Sequence, residues 1–447
     1  MKIRPTVNEN EAARQAAGPG HAGPCVVLPA AIPPSPVTAT PRTAASPGGW
    51  RSWLYRAINW VYFERITVVH PERVPSAGPV LYAGLHRNGA VDGFVYDQVL
   101  RQPVFLISSQ LRKNWFSRLF FHGIAVTRTR DDGDRAQNAA ALGQCLDQLR
   151  AGGALFVFPE GTSSLGPAHL PFKSGAAWLL LDYLTEGHHP PIQVVPVGIH
   201  YQWPWAFRSR VEVLVGTPVS TELPPGASRN EQLKILKRRL QTALETVGLN
   251  VPTEAQQELI QRCAAIAARE TGRSYAKSLK ALQTVIPEKI LDAWRELEPM
   301  LQNKRLMFYQ GEPLFPSGPM VRSAVGLGFF IPVVGAAILL NLPPWLGGWL
   351  AGRKFPDDRN VISLWKILAG LPVFALWLAT VVFALLWAGH CGWLAAYLVI
   401  TAAGVGLYDR CRQLTIAIYN AVCEPALWPR VRAFQQTVLE NLPDESP

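Results

Sequence analysis

Between Ile66 and Gly216, short apolar runs alternate with amphipathic stretches. The runs Ile66–His70, Val80–Gly84, Val104–Ser108, Ile124–Thr127, Ala154–Pro159, Gln193–Tyr201 and Val211–Gly216 read as strands. Asp92–Leu100, Leu111–Phe121, Asp134–Ala151 and Ser174–Glu186 read as helices. This alternation predicts an α/β domain over 66–220, a mixed sheet flanked by helices, with its chemistry in loops at strand ends. Ahead of it, in 49–65, Trp50, Trp53, Leu54, Ile58, Trp60, Val61 and Phe63 recur at helical spacing with Arg51, Arg56 and Arg65 between them. The segment is too short and too charged to span a bilayer. It suits an amphipathic helix lying in a membrane interface, or a helix packed on its own domain. Residues 228–303 read as polar amphipathic helices, separated by Pro252 and Pro287.

The pattern then changes. Ala324–Leu342 is apolar and ends at Pro343-Pro344, Trp345–Gly352 is short and apolar, and Val361–Ala388 and Trp393–Leu407 form a tight hairpin. Arg322, the group Arg353, Lys354 and Arg359, and the pair Arg410 and Arg412 flank these segments. All fall on one side if Ala324–Gly352 dips in and returns around the proline pair. We therefore expect a membrane-embedded helical domain over 321–410, a re-entrant segment plus a transmembrane hairpin, and a tail helix in 411–447. The side in question would be the cytosol.

Composition agrees with a membrane protein that has a soluble portion: of 447 residues, 49% are hydrophobic, 17% are charged and 15 are Trp. The net charge of +11 suits an anionic lipid surface. A nucleic-acid partner would need basic and aromatic residues organised on the α/β domain, and none are. Residues 1–48 are rich in Pro, Ala, Gly and Ser and read as disordered. Their start has no apolar core, so no secretory signal is expected. The six Cys show no ligand spacing and read as free thiols of a reducing compartment, with no metal site.

Three loops carry usable chemistry. In Leu81–Phe94 a buried strand stops at His86 and a helix starts near Asp92, with a Gly-containing turn between them. A histidine with a carboxylate one turn away can form a base–orienter pair. The imidazole takes a proton from a hydroxyl, and the carboxylate fixes its tautomer. The same residues also suit a satisfied histidine in a βα loop. In His122–Arg128, Gly123 permits a close turn and Arg128 emerges at a strand end. An arginine fork suits phosphate, and a solvated basic edge is the alternative. In Ala154–Ser164 a strand breaks at Pro159 and delivers Glu160, Gly161 and Thr162 into a turn that can cradle an oxyanion or phosphate. Glu160 can orient substrate or another loop, or cap the turn. Lys173 precedes a helix start, beside an anion-friendly N-terminus. The Pro196 in Val194–Ile199 predicts an edge or bulged strand.

In their order and spacing, His86…Asp92, Gly123…Arg128, Phe158–Ser163 and Val194–Gly198 resemble the blocks of the glycerolipid acyltransferase superfamily, which contains glycerol-3-phosphate and lysophosphatidate acyltransferases. The resemblance covers about Gly49 to Gly216. It implies that His86 is the general base on the acceptor hydroxyl, that Asp92 holds it, and that Arg128, Glu160, Gly161 and Thr162 bind the acceptor phosphate. The acyl donor would be a thioester of CoA or acyl-carrier protein, with no cofactor and no metal. There are two departures. The first block is His-x5-Asp, one residue longer than the common form, and Gly89 can absorb the extra residue. Asn88, two places after His86, matches fungal-type enzymes that acylate glycerol-3-phosphate or dihydroxyacetone phosphate. Ser163 stands where Arg usually follows Gly-Thr, which removes one phosphate contact. The implied function is a membrane-bound O-acyltransferase of phospholipid biosynthesis, acting on 1-acylglycerol-3-phosphate or glycerol-3-phosphate. From another class, the alternative is a catalytically silent lipid-binding or scaffold protein on the same fold. A serine hydrolase would need a GxSxG elbow, which the chain lacks.

Overall fold

Three of the runs expected as strands are buried almost throughout: all of β2 (Val80–Gly84) and β5 (Ala154–Val157), and all but the first residue of β6 (Gln193–Tyr201). With β1 (Phe63–Val69), β3 (Val104–Ser108), β4 (Ile124–Val126) and β7 (Ser209–Val215) they form one sheet in the order β1-β7-β6-β2-β5-β3-β4. Strands β6, β2, β5, β3 and β4 are mutually parallel. β7 runs antiparallel to β6, and β1 runs parallel to β7. The sheet is therefore mixed, as the pattern predicts. The computed structural model describes residues 49–112, 115–127, 135–187, 190–302 and 304–443. The tail 1–48 and Arg128 lie outside the described residues.

Helices cover both faces. One face packs against α1 (Trp50–Tyr62), α2 (Val91–Val99) and α3 (Trp115–Phe120). The other packs against α4 (Arg135–Arg150), α5 (Gly175–Thr185) and α6 (Arg229–Val247). The helical stretch after the sheet therefore divides. α6 completes the α/β core, whereas α7 (Glu254–Glu270), α8 (Tyr275–Thr284) and α9 (Glu288–Leu301) build another core with α14 (Leu427–Asn441).

Three sequence expectations are corrected. Pro196 lies in β6, which is interior, between β7 and β2. Its missing N–H faces the point where β7 ends. The Gly216 N–H still donates to the Pro196 carbonyl at 2.9 Å, and the chain then bulges before the Val219 N–H rejoins β6 at Val194 O, 2.8 Å away, so the irregularity is a bulge beside an interior strand and not an edge. The boundary at residue 65 moves to Phe63, because Phe63 and Arg65 already pair with Ser209 and Arg210 in the sheet. The boundary at residue 410 disappears, because α13 (Cys391–Cys423) continues through it as one helix.

α1 uses both of its faces. Tyr55, Ile58, Asn59 and Tyr62 dock on the domain, with the Tyr55 hydroxyl donating to Phe120 O at 2.6 Å and Asn59 Nδ2 to Phe94 O at 2.8 Å. Trp50, Trp53 and Trp60 face outward, and Arg51 and Arg56 stack on the first two.

Among the described residues, three helices are long and apolar enough to cross a membrane: α10 (Met320–Leu340), the stretch containing α12 (Ile362–Trp387), and α13. α11 (Leu342–Lys354), which starts on the proline pair, has 13 residues. α10 lies antiparallel to α13: Gly326 meets Leu414, Gly404 meets Ala337, and Asn341 Nδ2 donates to Thr401 Oγ1 at 3.0 Å. α11 lies antiparallel to α12, where Gly348 and Gly370 let the backbones approach closely. These pairings put Arg322, Arg353, Lys354, Arg359, Arg410 and Arg412 toward the same end of the four helices. That end rests on the α/β domain, where Ser363 Oγ donates to Pro204 O at 2.7 Å and Tyr408 packs on Phe207.

One buried group makes the core sensitive to acid. The His200 ring is buried and its Nε2–H donates to Val247 O at 2.9 Å, which joins β6 to the end of α6. Burial, reinforced by nearby Arg87 and Lys280, pushes its pKa down to about 4. The unfolded chain takes up this proton near pH 6.5, so the stability contribution is complete above that pH. It falls by about 3 kcal/mol as the pH drops toward 4. Thermal midpoints between pH 7 and 4.5 should therefore decline less steeply for His200→Gln than for the wild type. Parallel declines would exclude His200 as the source.

Candidate active site

β6, β2 and β5 are parallel neighbours, so their C-terminal ends come together at one edge of the sheet. β2 delivers His86, β5 delivers Phe158–Glu160, and β6 delivers Tyr201. A ligand site outside the carboxyl ends of parallel strands is the expected consequence of this topology.

His86 Nδ1 donates to Asp92 Oδ2 at 2.9 Å. The long first block closes because the intervening loop turns back on itself. Gly89 takes φ +53, a left-handed conformation that glycine adopts without strain. The Arg87 and Asn88 N–H groups then fold onto the carboxylate, at 2.6 Å and 2.9 Å from Asp92 Oδ2. The Tyr201 hydroxyl donates to Asp92 Oδ1 at 2.7 Å. Asp92 is 0% exposed, and it accepts from four groups, which satisfies the polar atoms of a buried carboxylate. Burial, and then the Asp92 charge, hold the Tyr201 phenol well above its ordinary pKa, so it serves purely as a donor. With Nδ1–H directed at Asp92, Nε2 is the ring nitrogen left to meet a substrate. The ring is fixed by stacking on Phe158, centroids 4.1 Å apart.

Of the roles the sequence leaves open to Glu160, the structure shows the tie to another loop and not the phosphate contact that the resemblance implies. It is 2% exposed, and both of its oxygens are occupied by backbone donors: Oε1 by His86 N–H at 3.1 Å and Oε2 by Leu170 N–H at 2.9 Å. A carboxylate satisfied in this way is a strut between two loops and repels a phosphate, so Glu160 is removed from the substrate contacts. The strut is reinforced by Ser164 N–H donating to His86 O at 3.0 Å and Arg87 Nη1 donating to Ser164 O at 3.1 Å. Gly161 follows with φ +71, and the Lys173 ammonium lies directly over it. Lys173 and Thr162 are exposed. α5 begins only at Gly175, so Lys173 belongs to the preceding loop, whose N–H donates to Pro159 O at 2.8 Å. The structure thus brings His86, Asp92 and Glu160 into one bonded cluster, with Gly161 and Lys173 adjoining it. Arg128 falls outside the described residues.

Sequence reasoning missed two contributors. Tyr201 ends an apolar strand and carries no local signal of its role. Asn360 is 197 residues from its partner: Nδ2 donates to Ser163 O at 3.0 Å, and its own carbonyl packs against Gly89. The start of α12 therefore clamps the His86–Asp92 loop against the Pro159–Ser164 loop. The clamp is extended by Asn88 Nδ2 and Ser363 Oγ, which both donate to Pro204 O, and by the Tyr62 hydroxyl donating to Ser363 Oγ at 2.9 Å. Arg359 sits beside Asn360 and over the Trp205 ring, 5.6 Å from its centroid.

Residues 65–200 match the family model described as Acyltransferase. The chain is 31% identical over 121 residues to an uncharacterised acyltransferase of Schizosaccharomyces pombe, covering 26% of this chain and 18% of that protein. It is 29% identical over 123 residues to glycerol-3-phosphate O-acyltransferase 2 of Saccharomyces cerevisiae, covering 27% and 17%. The chain thus spans less than a fifth of the length of these curated relatives. Among solved structures it is similar to the 1-acyl-sn-glycerophosphate acyltransferase PlsC of Thermotoga maritima, with 20% identity, TM-score 0.32, and coverage of 44% of this chain and 77% of that one.

Proposed function

We propose, from the premise that residues 65–200 belong to the glycerolipid acyltransferase superfamily, that the protein moves a fatty acyl group from a thioester to a hydroxyl of a glycerol phosphate. The observation that carries this reading is the 2.9 Å bond from His86 Nδ1 to Asp92, formed in spite of the longer block. His86 Nε2 takes the acceptor hydroxyl proton as the oxygen attacks the thioester carbonyl carbon. The C–O bond forms, the tetrahedral intermediate collapses, the C–S bond breaks, and the proton passes from Nε2 to the departing thiolate. The products are an ester and a free thiol, and the balance calls for no further reactant. Arg128, Thr162, the Gly161 backbone and Lys173 are the proposed contacts of the acceptor phosphate. The helices α10–α13 hold the site at a membrane whose near side is the cytosol, and the outward Trp face of α1 lies in the same interface.

The test is acyl transfer by the full chain in detergent or liposomes. Labelled acyl-CoA and acyl-carrier protein are offered in parallel against glycerol-3-phosphate, dihydroxyacetone phosphate and 1-acylglycerol-3-phosphate. Transfer to one of these acceptors is the expected result. Folded protein that transfers to none of them from either donor would overturn the reading. Within the same assay, Asn360→Ala should lower kcat/KM by about threefold to tenfold, the rate equivalent of one hydrogen bond between the two site loops. Asn360→Asp keeps the shape but loses the Nδ2 donor, and should fall at least as far. Full activity in both would deny the clamp a role in turnover.

A further inference from the structure

A concave site lies away from His86. It is a cleft of about 810 Å³ on the α6 side of the sheet, where β7 ends. Its walls are the Gly216–Ser220 linker, one face of α6 and one face of α8. The linker pairs with Val194, in the N-terminal half of β6, whereas His86 stands at the opposite, C-terminal end of β2. None of the residues of the His86–Asp92 or Pro159–Ser164 loops lines the cleft.

The lining is one-sided in charge. Arg73, Arg238, Arg239, Lys277 and Lys280 contribute to it, and no Asp or Glu does. At one rim Glu72 pairs with His70 and stands 4.0 Å from Arg73. Among the described residues, no carboxylate pairs with Arg238, Arg239, Lys277 or Lys280. Two of these four cations have structural work. Arg239 donates to Ser220 O and Glu222 O, and the Lys280 ammonium caps the C-terminal carbonyls of α6 at Glu245 and Gly248. Lys280 is also partly withdrawn from water, which brings its pKa down to about 8. Arg238 and Lys277 take no part in these bonds. Cations gathered in a concavity without counter-charge repel one another, and their fields add toward whatever anion enters. Thr242 adds a hydroxyl between the charges, Thr246 and Thr284 line the wall with hydroxyls that donate to Ala243 O and Lys280 O, and Leu214, Ile235 and Ala243 supply apolar surface. Charge-assisted donors and hydroxyls around an apolar floor suit phosphates carried on an organic body.

We propose that this cleft binds a phosphate-bearing ligand of nucleotide size, held by Arg238 and Lys277 and separate from the His86 centre. Two sources share that chemistry: a free nucleotide, and the phosphorylated adenosine head of a CoA thioester. Binding is read without turnover, so the result stands independently of the acyl-transfer assay.

The experiment is isothermal titration calorimetry on the full chain in detergent with ADP, CoA and inorganic pyrophosphate, and with adenosine as the phosphate-free control. We expect the phosphorylated probes to bind, increasingly weakly as salt rises, and adenosine not to bind. Arg238→Gln/Lys277→Gln should lower affinity about tenfold or more, because both direct cationic contacts are removed while the bonds of Arg239 and Lys280 remain. Equal affinity for ADP and CoA would identify the nucleotide phosphates as sufficient, and markedly tighter CoA would identify the donor head. Both results support the site. If no phosphorylated probe binds, or if the folded double variant binds as tightly as the wild type, the proposal is wrong.

Discussion

Replacing His86 by alanine should lower acyl transfer by about 10²–10⁴-fold, the usual contribution of a positioned general base. The loss should fall on kcat, with little change in the KM of either substrate. The ring is held by Phe158 on one face and by Asp92 at Nδ1, so its removal takes away the proton acceptor while leaving the loop backbone tied. The loop is tied independently, because His86 N–H bonds Glu160 and its carbonyl accepts from Ser164 N–H, and neither bond needs the side chain. Initial rates over a range of acceptor and donor concentrations measure this split. A variant within a few-fold of wild type would exclude His86 as the base, even if transfer itself were intact.

Asp92→Asn should cost about 10³–10⁴-fold in kcat, in line with the effect of disabling the orienting carboxylate of a histidine base in other enzymes. Asparagine is nearly isosteric, but its amide NH₂ is a donor. Turned toward His86, it selects the tautomer with a bare Nδ1 and a protonated Nε2, which cannot accept the hydroxyl proton. In that orientation it also meets the N–H groups of Arg87 and Asn88, and turned the other way it confronts the Tyr201 hydroxyl and the Asn88 N–H. Every orientation therefore leaves at least one buried donor unsatisfied, and a loss of about 1–3 kcal/mol in stability should accompany the loss of rate. The thermal midpoint and kcat together test both halves. Normal kcat in a destabilised protein would make Asp92 a purely structural group.

The apolar runs were sufficient to locate the seven strands of the main sheet, most plainly β2, β5 and β6, because a strand buried on both faces has to be written as a continuous apolar stretch. The chemistry-bearing positions were equally visible where they sit at strand ends: His86, Asp92 and the Pro159–Thr162 turn are local features of β2, α2 and β5. Which of its open roles Glu160 takes was not visible. A carboxylate after an apolar strand has the same local pattern whether it meets a substrate or two backbone N–H groups. Only the packing of Leu170 and His86 around it separates the two cases. Pro196 misled for a related reason. Proline excludes a ladder bond, but whether an edge or a bulge accommodates it depends on the path of β7 and of the residues after it, which is a property of the neighbouring strand.

Local periodicity, turn residues and the order of the blocks thus determined the α/β domain, the apolar helices and the His86–Asp92 pair, because each is encoded within a few turns of chain. The tertiary structure alone decided that the sheet is entered at Phe63, that Tyr201 completes the carboxylate cage, and that Asn360 clamps the two site loops from the base of α12. Those contacts join residues separated by about a hundred positions or more. The sequence carries no periodic trace of such pairings, since their partners are selected by which surfaces remain to be covered once the sheet and helices have packed.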